Sequence, residues 1–217
     1  MKDTVIASIE QHKLIAILRG IPDDRLIPLA QALYRGGIRL LEVTYSADGS
    51  PPDTVIADRI RRLSACFAGR MHIGAGTVLT EQQVCLTKEA GGQFIISPDT
   101  RAAVIRRSAE LGLVSIPGAF TPTEIAAARD LGADFVKLFP VTSLGPAYVK
   151  AVSAPLSHVK LLAVGGIDLS NLQAYLRAGV RGFGISSGLT DKTMIANEDW
   201  DGITRLAESY TAVIQNG

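Results

Sequence analysis

Charge of one sign is what this chain most plainly lacks: 22 Lys and Arg stand against 21 Asp and Glu, a net charge of +1. That balance removes any general electrostatic case for nucleic acid or an anionic membrane surface as a partner. Cysteine is nearly absent. The two present, Cys66 and Cys85, have neither metal-ligand nor redox-motif spacing, and read as reduced thiols of a cytoplasmic protein. The three histidines, His12, His72 and His158, are scattered without metal spacing and read as surface or strand-edge residues, so no metal site is expected. Long apolar runs are missing as well. Charges interrupt the apolar residues from Met1 to Glu10, which excludes a signal-peptide core, and no later run is long enough to span a bilayer.

What the chain does have is a repeated unit. With 47% hydrophobic residues in 217, it can bury a substantial core. After a short amphipathic helix over residues 3–12, with Val5, Ile6 and Ile9 on one side as a lid on the bottom of the fold, apolar strands are expected at 14–20, 38–45, 71–78, 93–98, 113–118, 134–140, 159–164 and 182–186. Helical stretches lie between them, the first starting near Pro22-Asp23-Asp24, and glycine falls after one helix after another: Gly36-Gly37, Gly91-Gly92, Gly112, Gly132 and Gly179. Asp168 is expected to cap the helix ending at Gly179, and residues 199–215 to form the closing helix. Alternating strands and helices with short connections imply parallel strands joined by right-handed crossovers. The expected fold is a single-domain (β/α)8 TIM barrel spanning 1–217. An open doubly wound sheet fits less well, because no glycine fingerprint follows the first strand.

One strand stands out. Asp134-Phe135-Val136-Lys137-Leu138-Phe139-Pro140 is apolar with a lysine in its middle. A buried ammonium is costly, and desolvation lowers its pKa toward the range where the free amine is a nucleophile. Lys137 is therefore either a Schiff-base amine or a snorkelling, salt-bridged core lysine. Barrel active sites lie at the C-terminal ends of strands, and strand side chains alternate between faces. Phe135, Lys137 and Phe139 share a face; so do Leu40, Glu42 and Thr44, Ile73, Ala75 and Thr77, and Ile15, Ile17 and Arg19. If those faces point inward, an amine, a carboxylate, a hydroxyl and a guanidinium meet in one barrel mouth. Each has a plainer reading. Glu42 and Arg19 could pair with each other, and Thr77 could be a β-branched filler. Gly165-Gly166 and Gly184 to Gly188, with Ser186 and Ser187, sit where barrels bind phosphate through backbone N–H groups at a helix start.

Taken together, Ile15-Ala16-Ile17-Leu18-Arg19-Gly20, Leu41-Glu42-Val43-Thr44, Ile73 to Leu79, Val136-Lys137-Leu138-Phe139-Pro140 and Ala163-Val164-Gly165-Gly166 resemble the class I aldolases acting on 2-keto-3-deoxy-6-phosphogluconate and 2-keto-3-deoxy-6-phosphogalactonate. The resemblance covers nearly the whole chain, in order. It implies a homotrimeric, metal-independent barrel that needs no cofactor and cleaves a 2-keto-3-deoxy-6-phospho sugar acid to pyruvate and glyceraldehyde 3-phosphate. It implies Lys137 as Schiff-base lysine and Glu42 as acid/base. Arg19 and Thr77 are implied as carboxylate or hydroxyl contacts, Gly165, Gly166 and Ser187 as phosphate contacts, and Phe139 as a wall of the pocket, with Pro98 also counted as substrate-binding. Subtype signals divide. Val164 and the stretch Gly145 to Ala151 are similar to the phosphogalactonate type, where phosphogluconate enzymes typically carry threonine before the glycines. Leu41 to Thr44 is similar to the phosphogluconate type, yet Ser46 replaces that type's arginine, and Ser186 replaces a usual glycine. Rival readings are a 4-hydroxy-2-oxoglutarate aldolase, another phosphate-binding barrel enzyme such as an epimerase or synthase, and a noncatalytic phosphosugar-binding protein.

Overall fold

The computed structural model describes residues 2–216. In chain order these form α1 (Lys2–His12), β1 (Leu14–Leu18), α2 (Leu26–Arg35), β2 (Leu40–Thr44), α3 (Asp53–Cys66), β3 (His72–Gly76) and α4 (Glu81–Glu89). There follow β4 (Phe94–Ile96), α5 (Ala102–Glu110), β5 (Val114–Ile116), β6 (Gly118–Ala119), α6 (Pro122–Asp130), β7 (Val136–Leu138) and α7 (Gly145–Ser153). The last elements are β8 (Leu161–Val164), α8 (Leu172–Arg177), β9 (Gly182–Ile185), α9 (Lys192–Ala196) and α10 (Trp200–Gln215).

The strands are ordered β5-β4-β3-β2-β1-β9-β8-β7-β6, and the pairs are parallel. Both ends of that order belong to one stretch of chain, because only Pro117 separates β5 from β6. Val114–Ile116 pairs with β4, and Gly118–Ala119 pairs with β7. A proline cannot donate to a ladder, so the strand changes partner there, while the Pro117 carbonyl still accepts from Lys137 N at 2.8 Å. Counted as one bent strand, β5 and β6 close an eight-stranded TIM barrel.

Strands in such a barrel are buried on both faces, which is why they read as continuous apolar runs. Leu41, Val43, Val136, Leu138 and Ala163 face the helices, whereas Ile15, Leu40, Phe94, Val114, Phe135 and Leu162 fill the barrel. Val5 and Ile9 of α1 join that inner cluster, so the N-terminal helix plugs the base as expected. Ion pairs hold it there: Lys2 to Asp134 at 2.9 Å and Glu10 to Lys160 at 2.8 Å.

The structure corrects four expectations. In β3 the inward residues are Gly74 and Gly76, while Ile73 and Ala75 face the helices, so the assumed phase of that strand is wrong. The Ile73, Ala75 and Thr77 face is the outer one up to the end of the strand. Asp168 does not cap α8; its carboxylate accepts from Ser170 N and Oγ in a turn before the helix, and Asn171 occupies the N-cap position without a side-chain cap. A short α9, capped by Asp191 through Met194 N, lies where no helix was expected. The helix starting near Pro22 begins instead at Leu26, after a turn.

Candidate active site

Lys137 occupies the centre of β7, with its two chain neighbours turned toward the helices and its own side chain turned inward above Phe135. It is only 7% exposed, and its ammonium nitrogen lies 4.5 Å from the centroid of the Phe139 ring. Glu42, at the centre of β2, is 2% exposed. Among the described residues neither group takes part in a salt bridge, which argues against the structural ion-pair reading of either. Burial raises the Glu42 carboxyl above its ordinary pKa, against the opposing charges of Lys137 and Arg19. Burial lowers the Lys137 amine, and Arg19 pushes in the same direction while Glu42 resists. Two ionisable groups with pKa values moved toward each other suit proton transfer near neutrality.

The glycines of β3 explain how a glutamate fits here. A Cβ on Gly76 would lie 1.6 Å from the Glu42 Oε1, and one on Gly74 would lie 2.3 Å from the Phe94 ring. Each glycine vacates the space its neighbour fills. Thr77 then reaches the barrel mouth by a different route from the one alternation suggested. Its φ is +56°, and this left-handed residue reverses the facing of the chain as it leaves the strand. Such a conformation costs a non-glycine residue roughly 1–2 kcal/mol, which the packing around the loop must offset. Arg19 Nη2 donates to Thr77 Oγ1 at 3.4 Å.

A cavity of about 390 Å³ opens over these groups. Arg19, Glu42, Thr77, Pro98, Lys137 and Phe139 line it, and so do Gly165, Gly166 and Ser187. Every site residue expected from the sequence is thus brought to one hollow. Val164, Gly184 and Ser186 line it as well, together with Ala47, Leu79 and Ile167, which the sequence did not single out as site residues. Nothing in an apolar residue's own identity marks it as a cavity wall. Gly165 (φ +97°) and Gly166 (φ +73°) turn the chain in the left-handed region, with the Phe139 ring against the first and Thr142 against the second. Helix α8 begins only at Leu172, so the glycine amides belong to a loop and not to a helix N-terminus, contrary to the sequence expectation.

Two further hollows adjoin the first. The larger, about 750 Å³, shares Arg19, Ser186 and Ser187 with it but contains neither Lys137 nor Glu42, so size does not mark the chemistry. The smaller, about 260 Å³, is lined by Ser46, Thr44 and Arg59 among others. Ser46 Oγ donates to Asp48 Oδ1 at 2.5 Å, which turns this residue into its own loop.

A buried amine and a buried carboxyl lining one hollow at the C-terminal end of a parallel barrel are the groups that an aldolase of the Schiff-base type requires. Comparison with known proteins agrees. The family model "Aldolase: KDPG and KHG aldolase" matches residues 5–206. The chain is 36% identical over 205 residues to a probable 2-dehydro-3-deoxy-6-phosphogalactonate aldolase of Rhizobium meliloti, covering 94% of this chain and 93% of that protein. It is 30% identical to a 2-dehydro-3-deoxy-phosphogluconate aldolase of Haemophilus influenzae, covering 97% of each. Among solved structures, a native KDPGal structure superposes with a TM-score of 0.82 at 32% identity, covering 93% of this chain and 96% of that one. The KDPG aldolase of Legionella pneumophila, with pyruvate captured as a covalent carbinolamine, superposes at 0.84 with 29% identity, covering 96% and 97%. The chain belongs to the KDPG and KHG aldolase family and is a carbon–carbon lyase. No helix among the described residues is long and apolar enough to cross a membrane.

Proposed function

We propose that this class I aldolase cleaves a 2-keto-3-deoxy-6-phospho sugar acid, with the galactonate epimer preferred, through an imine on Lys137. The observation that carries this reading is the buried, unpaired amine facing Glu42 across the cavity. The neutral Lys137 amine attacks the C2 ketone, and the carbinolamine loses water to give a protonated imine. C3–C4 then breaks, its electrons passing into the imine, while Glu42 takes the C4 hydroxyl proton and the aldehyde leaves as glyceraldehyde 3-phosphate. The enamine is protonated at C3, and hydrolysis releases pyruvate and restores the amine. Arg19 and Thr77 contact the substrate's carboxylate and hydroxyls, and Pro98 and Phe139 wall the pocket. Gly165, Gly166 and Ser187 receive the phosphate.

The epimer preference rests on Val164. It lines the cavity beside Gly165 and presents methyl groups where phosphogluconate enzymes typically present a threonine hydroxyl. Ser46 is turned into its loop, so position 46 supplies no cation where the phosphogluconate type carries its arginine. Pyruvate release from the two C4 epimers, compared by kcat/KM, is expected to favour the galactonate epimer. Val164→Thr should narrow the ratio by about tenfold, the size of one hydrogen bond. A wild-type preference for the gluconate epimer would overturn the assignment. Faster turnover of 4-hydroxy-2-oxoglutarate would favour that aldol instead.

The homotrimer belongs to the same proposal. Phe120, Phe139 and Leu169 are 38%, 37% and 40% exposed, and all three follow strand C-terminal ends, which leaves apolar surface near the mouth. Sedimentation equilibrium should return three times the mass of the 23.0 kDa chain. A monomeric mass at assay concentration would refute it.

A further inference from the structure

The end of the barrel away from Lys137 holds a fourth hollow. Residues just before or opening β2, β3 and β4 line it together with one face of α1, and its volume is about 260 Å³. That is below the roughly 300–1,000 Å³ of sites for drug-sized ligands, and so suits a small ion or fragment. Arg39, Arg70, His12 and His72 face it, with Gln93 and Ser8 among the neutral remainder, and the lining contains no carboxylate.

Both guanidiniums are held in place. Arg39 Nη1 donates to the carbonyls of Tyr34 at 3.0 Å and Ile38 at 2.9 Å, and its guanidinium carbon lies 4.4 Å from the Tyr34 ring centroid. Arg70 bonds to the Cys66 carbonyl and lies 5.5 Å from the same ring. Among the described residues neither is in a salt bridge. His72 Nδ1 is bonded to Gln93 Oε1 at 2.8 Å, which fixes the imidazole and leaves Nε2 toward other partners. Burial, then Arg39 and then His72, disfavour protonated His12, as expected where positive groups converge without a counter-charge. A fixed guanidinium fork with unpaired donors matches the oxygens of phosphate or carboxylate.

We propose that this pocket binds a small oxyanion, a phosphate or carboxylate group, between Arg39, Arg70 and the two histidines. Because Ser8 and His12 belong to the helix that plugs the barrel base, a bound anion ties α1 to the strand starts. The site is separate from the reaction cavity and shares no residue with it.

The three histidines supply the test, since His158 lies outside the pocket and serves as an internal control. Imidazole NMR signals of the full chain are followed while inorganic phosphate or acetate is added at constant ionic strength, with chloride as the reference. Saturable movement of His12 and His72 with His158 unmoved is expected. Saturation by phosphate alone assigns phosphate, and by acetate alone assigns a carboxylate. Arg70→Gln and Arg39→Gln should each raise the Kd by about tenfold, the loss of a charged hydrogen bond. Arg70 is exposed, so its variant tests the site even if Arg39→Gln does not fold. Equal movement of all three histidines, or a Kd unchanged in the Arg70 variant, overturns the proposal.

Discussion

Lys137→Met is expected to lose aldol cleavage by a factor on the order of 10⁴ or more, as when a nucleophile is removed from a site whose other groups act only through it. Methionine keeps the length and the apolar stem but has no amine. In the wild type, borohydride with pyruvate should add one reduced pyruvate adduct, mapped to the peptide carrying Lys137, and the variant should gain none. An adduct elsewhere, or turnover surviving in the variant, would return the site to the epimerase or binding-protein readings. The direction of pH dependence follows from the same burial. Only the neutral amine attacks, and desolvation holds the Lys137 pKa below its ordinary value, so neutral amine persists further down in pH than for an exposed lysine. Adduct formation should therefore fall as pH drops through that lowered pKa, and a fall already centred on the ordinary lysine value of about 10.4 would contradict the environment described.

Gly76→Ala is expected to reduce kcat by about 10²–10⁴, the range for loss of a positioned general acid or base, although the glycine makes no contact that reacts. The added methyl group would sit 1.6 Å from Glu42 Oε1, 2.3 Å from its carboxyl carbon and 2.7 Å from Cγ. No rotation of the carboxylate alone relieves three such overlaps, so the side chain must leave its place. Gly76 is thus a positioning residue. Glu42→Gln provides the comparison: it keeps the shape and loses the proton shuttle. If Gly76→Ala lowers kcat as much as Glu42→Gln, and the double variant is no worse than either, displacement of the carboxylate is the cause. A Gly76→Ala enzyme with wild-type kcat would mean that Glu42 has room to move and still act.

The barrel was legible in the chain because its causes are local. Apolar runs of strand length, glycines at helix ends and the absence of any long linker leave few ways to bury both faces of every strand, and a parallel barrel is one. Lys137 and Glu42 were legible for a related reason: an ionisable residue inside such a run is conspicuous. Strand phase was less so. Alternation correctly turned Arg19, Glu42 and Lys137 inward, but it failed in β3. There the inward positions are glycines, which carry no hydrophobic signal, and the apolar Ile73 and Ala75 belong to the outer layer. Thr77 was selected through that wrong phase and still lines the cavity, because its backbone turns to positive φ beyond the strand.

The sequence by itself therefore determined the repeat, the fold class and the chemical types available to the site, since periodicity and the cost of burying charge act residue by residue. Tertiary structure alone decided the rest. Closure at Pro117 sets which strands flank Lys137, the space left by Gly76 is given meaning only by Glu42 from the neighbouring strand, and the cationic pocket at the base exists only because four separate segments meet there. Those are relations between distant residues, and no single residue's propensity encodes a distance.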